Sequence, residues 1–107
     1  MPRYAVLSNH TPRTCPGASK SVGEFADSFM SKMPELAQKL GITLEGPPLH
    51  LDPSHQTLVL ADAPSAETMR DFIFESGLIV FNNVEMYMVT PIPELVTKSA
   101  DWPKLYP

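Results

Sequence analysis

The sequence is short of the features that announce most chemistries. It holds one cysteine, Cys15, so no disulfide closes within the chain, and a lone thiol fits a reducing compartment. Lysine and arginine number 8 against 12 acidic residues, for a formal net charge of −4, and the basic residues are scattered singly. Such a chain has no strip that grips phosphates, so nucleic acid is not an expected partner. No apolar run reaches the roughly 18 residues of a membrane span, and the N-terminus lacks the charged-then-apolar pattern of a signal peptide. A soluble, cytoplasmic protein without membrane contact is expected.

What is plentiful is proline, 12 in 107 residues, falling mostly between periodic segments where it acts as punctuation. A hydrophobic share of 43% and a charged share of 19% are those of a globular chain. The length suits one domain, with a core over about residues 4–90 and a C-terminal tail over 91–107 that packs on the domain or on a partner subunit. A chain this short buries only about two-thirds of its unfolded surface, and pairing with a second copy adds to that core.

Residues 4–10 (Tyr-Ala-Val-Leu-Ser-Asn-His) are apolar and end in turn-formers, the pattern of a central strand. After a Pro/Gly loop, Ser21 and Glu24 have the spacing of a capping box. Val22, Phe25, Ala26, Phe29, Met30, Met33, Leu36, Ala37 and Leu40 then recur at helical steps, and Gly41 stands where a left-handed cap belongs. Pro34 inside this stripe predicts a kink or break near Met33. Residues 42–51 read as an extended segment interrupted by Gly46-Pro47-Pro48, a turn follows over 52–55, and 57–61 forms the partner strand. Ser65 caps a second helix that Gly77 ends. Val84 to Val89 alternate as the last strand, and a short helix over about 94–99 leads into the tail.

Strand, helix, hairpin, helix, strand is the order of an α+β, ferredoxin-like βαββαβ sandwich, an antiparallel sheet with both helices on one face. Right-handed crossovers place the first and third strands in the centre. The face without helices carries too many apolar residues for open solvent, which predicts a homodimer through that face.

The strand end Ser8-Asn9-His10, the loop Cys15-Pro16 and the run Arg70-Asp-Phe-Ile-Phe-Glu-Ser-Gly-Leu78 together resemble the dimeric α+β barrel superfamily, and within it small bacterial proteins without an assigned reaction. The resemblance covers about the whole chain. It implies a cavity between helix-free sheet faces and leaves the chemistry open, because members include cofactor-free monooxygenases, muconolactone isomerase-type enzymes, dehydratases, haem-handling proteins and a nickel-binding protein.

Three functional readings follow from the residues, beside a structural or interaction module without chemistry. The histidines number three, and the expected topology gathers His10, His50 and His55 at one end of the sheet, with Asp52 and Cys15 on adjoining loops. Imidazoles with a carboxylate or thiolate suit Zn, Ni or Cu, or a small ligand held by the histidines. A second reading places Ser8, His10, Glu85 and Tyr87 on one parity facing a cavity. There His10 acts as general base and Tyr87 or Ser8 orients a carbonyl or enolate oxygen of a small-molecule substrate, as in a cofactor-independent isomerase or monooxygenase. A third is a tautomerase whose base is the amine of Pro2 once Met1 is removed, for which only Arg3 offers a basic partner. The methionines sit on the helix stripe and the last strand as core filler, not as a copper box.

Overall fold

The computed structural model describes all residues from Met1 to Pro107. Strand β1 (Arg3–Asn9) is followed by helix α1 (Lys20–Leu40) and by two short strands, β2 (Thr43–Leu44) and β3 (Leu49–Leu51). Strand β4 (Gln56–Asp62), helix α2 (Ala66–Ser76), the single turn α3 (Leu78–Phe81) and strand β5 (Asn83–Val89) come next, and helix α4 (Ile92–Ser99) closes the chain. The sheet is antiparallel with order β2-β4-β1-β5, and β3 extends the β2 edge by pairing with β4. The chain is therefore a mixed α+β fold with β1 and β4 as the inner strands.

Register decides which side of the sheet each residue occupies. Val6 faces Val59 across β4 and Met86 across β5, whereas Leu7 faces Leu58 and Glu85. Tyr4, Val6, Ser8, Val59 and Ala61 are buried, and the apolar members pack with Phe29, Met33 and Ala37 of α1 and Met69, Phe72 and Ile73 of α2. One face of the sheet is thus covered by both helices. Its other face presents Ala5, Leu7, Leu58 and Leu60, only partly shielded, with Leu49 and Tyr87 exposed beside them.

Two features of α1 differ from the sequence expectation. Its N-cap is Ser19, not Ser21: the Ser19 side chain accepts from the Val22 amide, and the Gly23 amide already donates to the Ser19 carbonyl at 2.8 Å. The helix begins earlier because Gly23 has no Cβ to collide with the preceding loop, where one would lie 2.7 Å from the Pro16 carbonyl oxygen. Nor does Pro34 break the helix, which runs through to Leu40. Pro34 lies on the exposed side together with Met30, whose carbonyl it deprives of a ladder partner, while Met33 and Ala37 stay packed in the core. Gly41 and Gly77 adopt the left-handed cap conformation at φ 73° and 87°, and Ser65 caps α2, as the sequence predicts.

The C-terminal segment stands apart from this body. A compact chain of about 100 residues has a radius of gyration near ~13 Å, whereas this one measures 16.5 Å with extents of 56 × 31 × 20 Å. Helix α4 buries none of its residues, and Ile92, Leu95, Val96, Trp102, Leu105 and Tyr106 are all exposed. No helix is long and apolar enough to cross a membrane.

Candidate metal centre

The sheet register builds the site. Beyond the last β1–β4 pair, the His10 amide donates to the His55 carbonyl at 3.0 Å, so the antiparallel ladder runs one residue past both strand ends. That bond sets the two imidazoles side by side, edge to face, with ring centroids 5.2 Å apart. His55 closes the 52–55 turn, which contains a cis Asp52–Pro53 bond and is tied by the Ser54 amide donating to the Leu51 carbonyl at 2.9 Å.

Cys15 arrives from the other side. A 3-10 turn over Pro12–Thr14 is tied by the Thr11 amide donating to the Thr14 hydroxyl at 3.0 Å. The Cys15 carbonyl then accepts from the Ala18 and Ser19 amides, folding the loop onto the start of α1. The close approach at Gly23 keeps the loop there. His10, Cys15 and His55 consequently each offer one ligand atom, and these atoms lie within 4.8 Å of one another. In a tetrahedral centre with metal–nitrogen bonds of ~2.0–2.1 Å and metal–sulfur bonds of ~2.3 Å, ligand atoms stand about 3.3–3.8 Å apart, so the group would have to contract by up to about 1 Å to match that geometry.

The His10 ring is oriented by a residue the sequence reading missed, Asn82. The Asn82 side-chain amide donates to the Leu78 carbonyl at 3.0 Å, which fixes its oxygen as the acceptor facing His10 Nδ1 at 3.0 Å. The neutral imidazole therefore carries its proton on Nδ1 and presents a bare lone pair at Nε2. That Nε2 is buried and has no hydrogen-bond partner. An unpaired buried polar atom costs about 1–3 kcal/mol, and a bound ion or ligand removes the cost. The only sequence signal for Asn82 is its place just after an apolar segment, where its side chain caps the single turn α3.

The other expected site residues fall elsewhere. His50 and Asp52 stand outside the group and pair with each other at 2.5 Å, both exposed. Ser8 is buried on the helix-covered face and spends its hydroxyl on Thr57 across the strand pair. Tyr87 and Glu85 lie on the opposite face, because they face Ala5 and Leu7 in the register. Tyr87 donates to the Glu85 carboxylate, and that bond together with the nearby negative charge pushes the phenol above its ordinary value. The structure does not bring Ser8, His10 and Tyr87 into one cavity. The reason is the register: strand parities count from different origins until pairing fixes them.

Pro2 is exposed, and its carbonyl accepts from the Ala63 amide. Arg3 is bound to Asp62 at 2.9 Å and to Glu45 at 2.8 Å. The Arg3 hydrogen bond holds the Asp62 carboxyl below the usual carboxylate range, and Asp62 in turn raises the guanidinium. Arg3, the basic partner the sequence offers Pro2, is thus already occupied by two carboxylates, while Lys98 of α4 lines the same surface pocket as Pro2.

No family model matches the sequence, and no curated protein sequence matches it. Among solved structures the chain is similar to the C-terminal domain of the MgtC protein from Mycobacterium tuberculosis, at 15% identity and a TM-score of 0.52, covering 83% of this chain and 88% of that one. It is also similar to a de novo designed protein, Ferredog-Diesel, at 13% identity and a TM-score of 0.51, covering 81% of this chain and 84% of the design. At these identities the likeness concerns the α+β fold alone.

Proposed function

We propose that the chain binds a transition-metal ion of the Zn, Ni or Cu group through His10 Nε2, Cys15 Sγ and a ring nitrogen of His55. The observation that carries this reading is the buried, unpartnered Nε2 of His10 beside a thiol and a second imidazole. Two imidazoles and a thiolate are borderline-soft donors, the set these ions prefer to Ca or Mg. Three protein ligands leave a fourth position for water or a small ligand, the pattern of reactive rather than purely structural zinc sites. A thiol kept as a ligand suits a reducing, cytoplasmic setting.

The test is metal analysis of protein purified without a tag or chelator, followed by titration of the apo form. Near-stoichiometric metal and a metal-dependent rise in the thermal midpoint are the expected results. Gly23→Ala adds a remote check: it touches no ligand, yet its new methyl meets the Pro16 carbonyl and displaces the Cys15 loop. A drop in metal affinity of about tenfold or more is expected, the size found when groups that position a ligand are lost. No bound metal and no midpoint shift with any of the three ions removes the reading.

A second reading concerns assembly, and it carries the ferredoxin-like and dimeric barrel description of the fold. The strand order, with β1 and β4 inside, supports the ferredoxin-like part. The dimer is favoured by two apolar surfaces that do not meet within one chain: the helix-free sheet face and the projecting α4 with its tail. Ile92, Leu95 and Val96 form one stripe on α4, and burying such stripes against a partner's sheet yields about 25 cal/mol per Å². Light scattering after size exclusion should give a dimer at micromolar concentration, and Leu95→Glu with Val96→Glu should give a monomer. A monomeric wild-type chain at every concentration removes this reading.

A further inference from the structure

Next to the metal centre, under α1, lies a cavity of about 280 Å³ that the proposed ion does not use. It opens between α1, α3 and the helix-covered face of β4, and only His10 and Pro16 border both the cavity and the centre's own loops. Its volume falls just below the roughly 300–1,000 Å³ of pockets for drug-sized ligands, so its occupant is a smaller molecule.

The walls specify the body of that molecule. Phe29, Met30, Val59, Leu78 and Phe81 line the cavity, and the Phe29 and Phe81 rings meet edge to face with centroids 6.3 Å apart. Two phenyl rings in edge-to-face contact with a thioether beside them form an apolar wall that suits an aromatic ring or a short aliphatic chain packed against it. The walls also specify the head. Asp27 is the only charged side chain among the lining residues, it is exposed, and it takes part in none of the ion pairs of the chain. No lysine or arginine stands three or four positions from it on α1 to neutralise it. Asn82 contributes an amide to the same wall, already committed to Leu78 and His10.

We propose that this cavity binds a small primary amine with an aromatic or short aliphatic body, its apolar body packed against the wall formed by Phe29 and Phe81 and its ammonium group at the Asp27 carboxylate. The net charge of −4 draws cations toward the surface and favours the same class. An alcohol or hydrocarbon of the same shape satisfies the apolar walls but leaves Asp27 unpaired. A carboxylate is repelled by it. The inference does not rest on the metal reading, because its contacts are made by residues that hold no ion.

The experiment uses full-length protein treated with EDTA and dialysed, so that a failure of the metal proposal does not enter. The probes are 2-phenylethylamine and its neutral isostere 2-phenylethanol, followed by calorimetry and by methyl NMR. Saturable binding of the amine is expected in the range of about 0.1–1 mM, the strength open to a ligand of so few atoms. Val59 and Leu78 methyl resonances should shift on binding. The alcohol should bind about fivefold more weakly, and Asp27→Asn should weaken the amine about fivefold while leaving the alcohol unchanged, as for an exposed ion pair. Ala26→Leu, which fills the cavity from α1 with a good helix former, should lower both affinities by tenfold or more. Asp27 is exposed, so its replacement keeps the test valid even if Ala26→Leu folds poorly. Absence of saturable binding, shifts that map away from Val59 and Leu78, or equal affinity for amine and alcohol would overturn the proposal.

Discussion

Replacing His10 by alanine is expected to abolish the stabilisation that Zn, Ni or Cu confers on the protein. With free metal at ~100 times its dissociation constant, binding to the native state alone stabilises it by about 2.7 kcal/mol. At about 4–8 °C per kcal/mol for a domain near this size, that is a rise in thermal midpoint of roughly 10–20 °C. Without the His10 imidazole the remaining Cys15 and His55 form a two-ligand fragment, and the midpoint should no longer respond to metal. The apo protein should change far less, because the substitution also removes a buried nitrogen that has no partner. Metal-free and metal-loaded midpoints must therefore diverge in wild type and coincide in the variant. Asn82→Ala provides the finer control. It leaves all three ligands in place but frees the His10 tautomer and ring, so affinity should fall about 10–100-fold without vanishing. Full retention of metal response in His10→Ala would mean that the ion sits elsewhere.

The largest loss of stability without any change of chemistry is expected from Met69→Ala. Met69 is completely buried, and with Phe72 and Ile73 it forms the stripe by which α2 seats on the sheet. Truncating a buried methionine removes its transfer free energy and leaves a cavity, about 2–5 kcal/mol in well-packed cores. Against a total stability of roughly 5–15 kcal/mol, this is a third or more of the margin at the lower end of that range. Urea denaturation should show the midpoint falling with the slope unchanged. Phe74→Ser on the same helix is the contrast, because Phe74 is 55% exposed and points away from the sheet. Its replacement should stay within about 0.5 kcal/mol, as for most surface changes. If Phe74→Ser proves as costly as Met69→Ala, the outer face of α2 is itself covered by a partner.

Much of the fold was legible because its signals are local. The helix from Val22 to Leu40, the glycines at 41 and 77 and the Ser65 cap act within a turn or two of backbone and appear where the sequence places them, although Phe25 and Met30 of the apolar stripe are exposed and only Phe29, Met33 and Ala37 are fully buried. The cap of α1 was misplaced by two residues for a reason no local pattern contains. The Ser21–Glu24 spacing is a genuine capping box in isolation, but the loop carbonyl of Pro16 packs against Gly23 and draws the helix start back to Ser19. The uninterrupted passage through Pro34 likewise depends on its facing solvent, which only the packing of α1 on the sheet decides.

The candidate site divides in the same way. The sequence by itself determined that His10 ends a strand, that His55 closes the turn before the neighbouring strand and that the Cys15 loop lies between β1 and α1; with antiparallel pairing these facts are enough to suggest a cluster. Tertiary structure alone decided its membership. It set His10 against His55 through one backbone bond, paired His50 with Asp52 away from the group, sent Tyr87 to the far side of the sheet and brought Asn82 across 72 residues to His10. The physical reason is that side-chain direction alternates with every residue along a strand. A sequence specifies that alternation within each strand, while the phase between strands is fixed only when the ladder forms, and a shift of one residue exchanges the two faces.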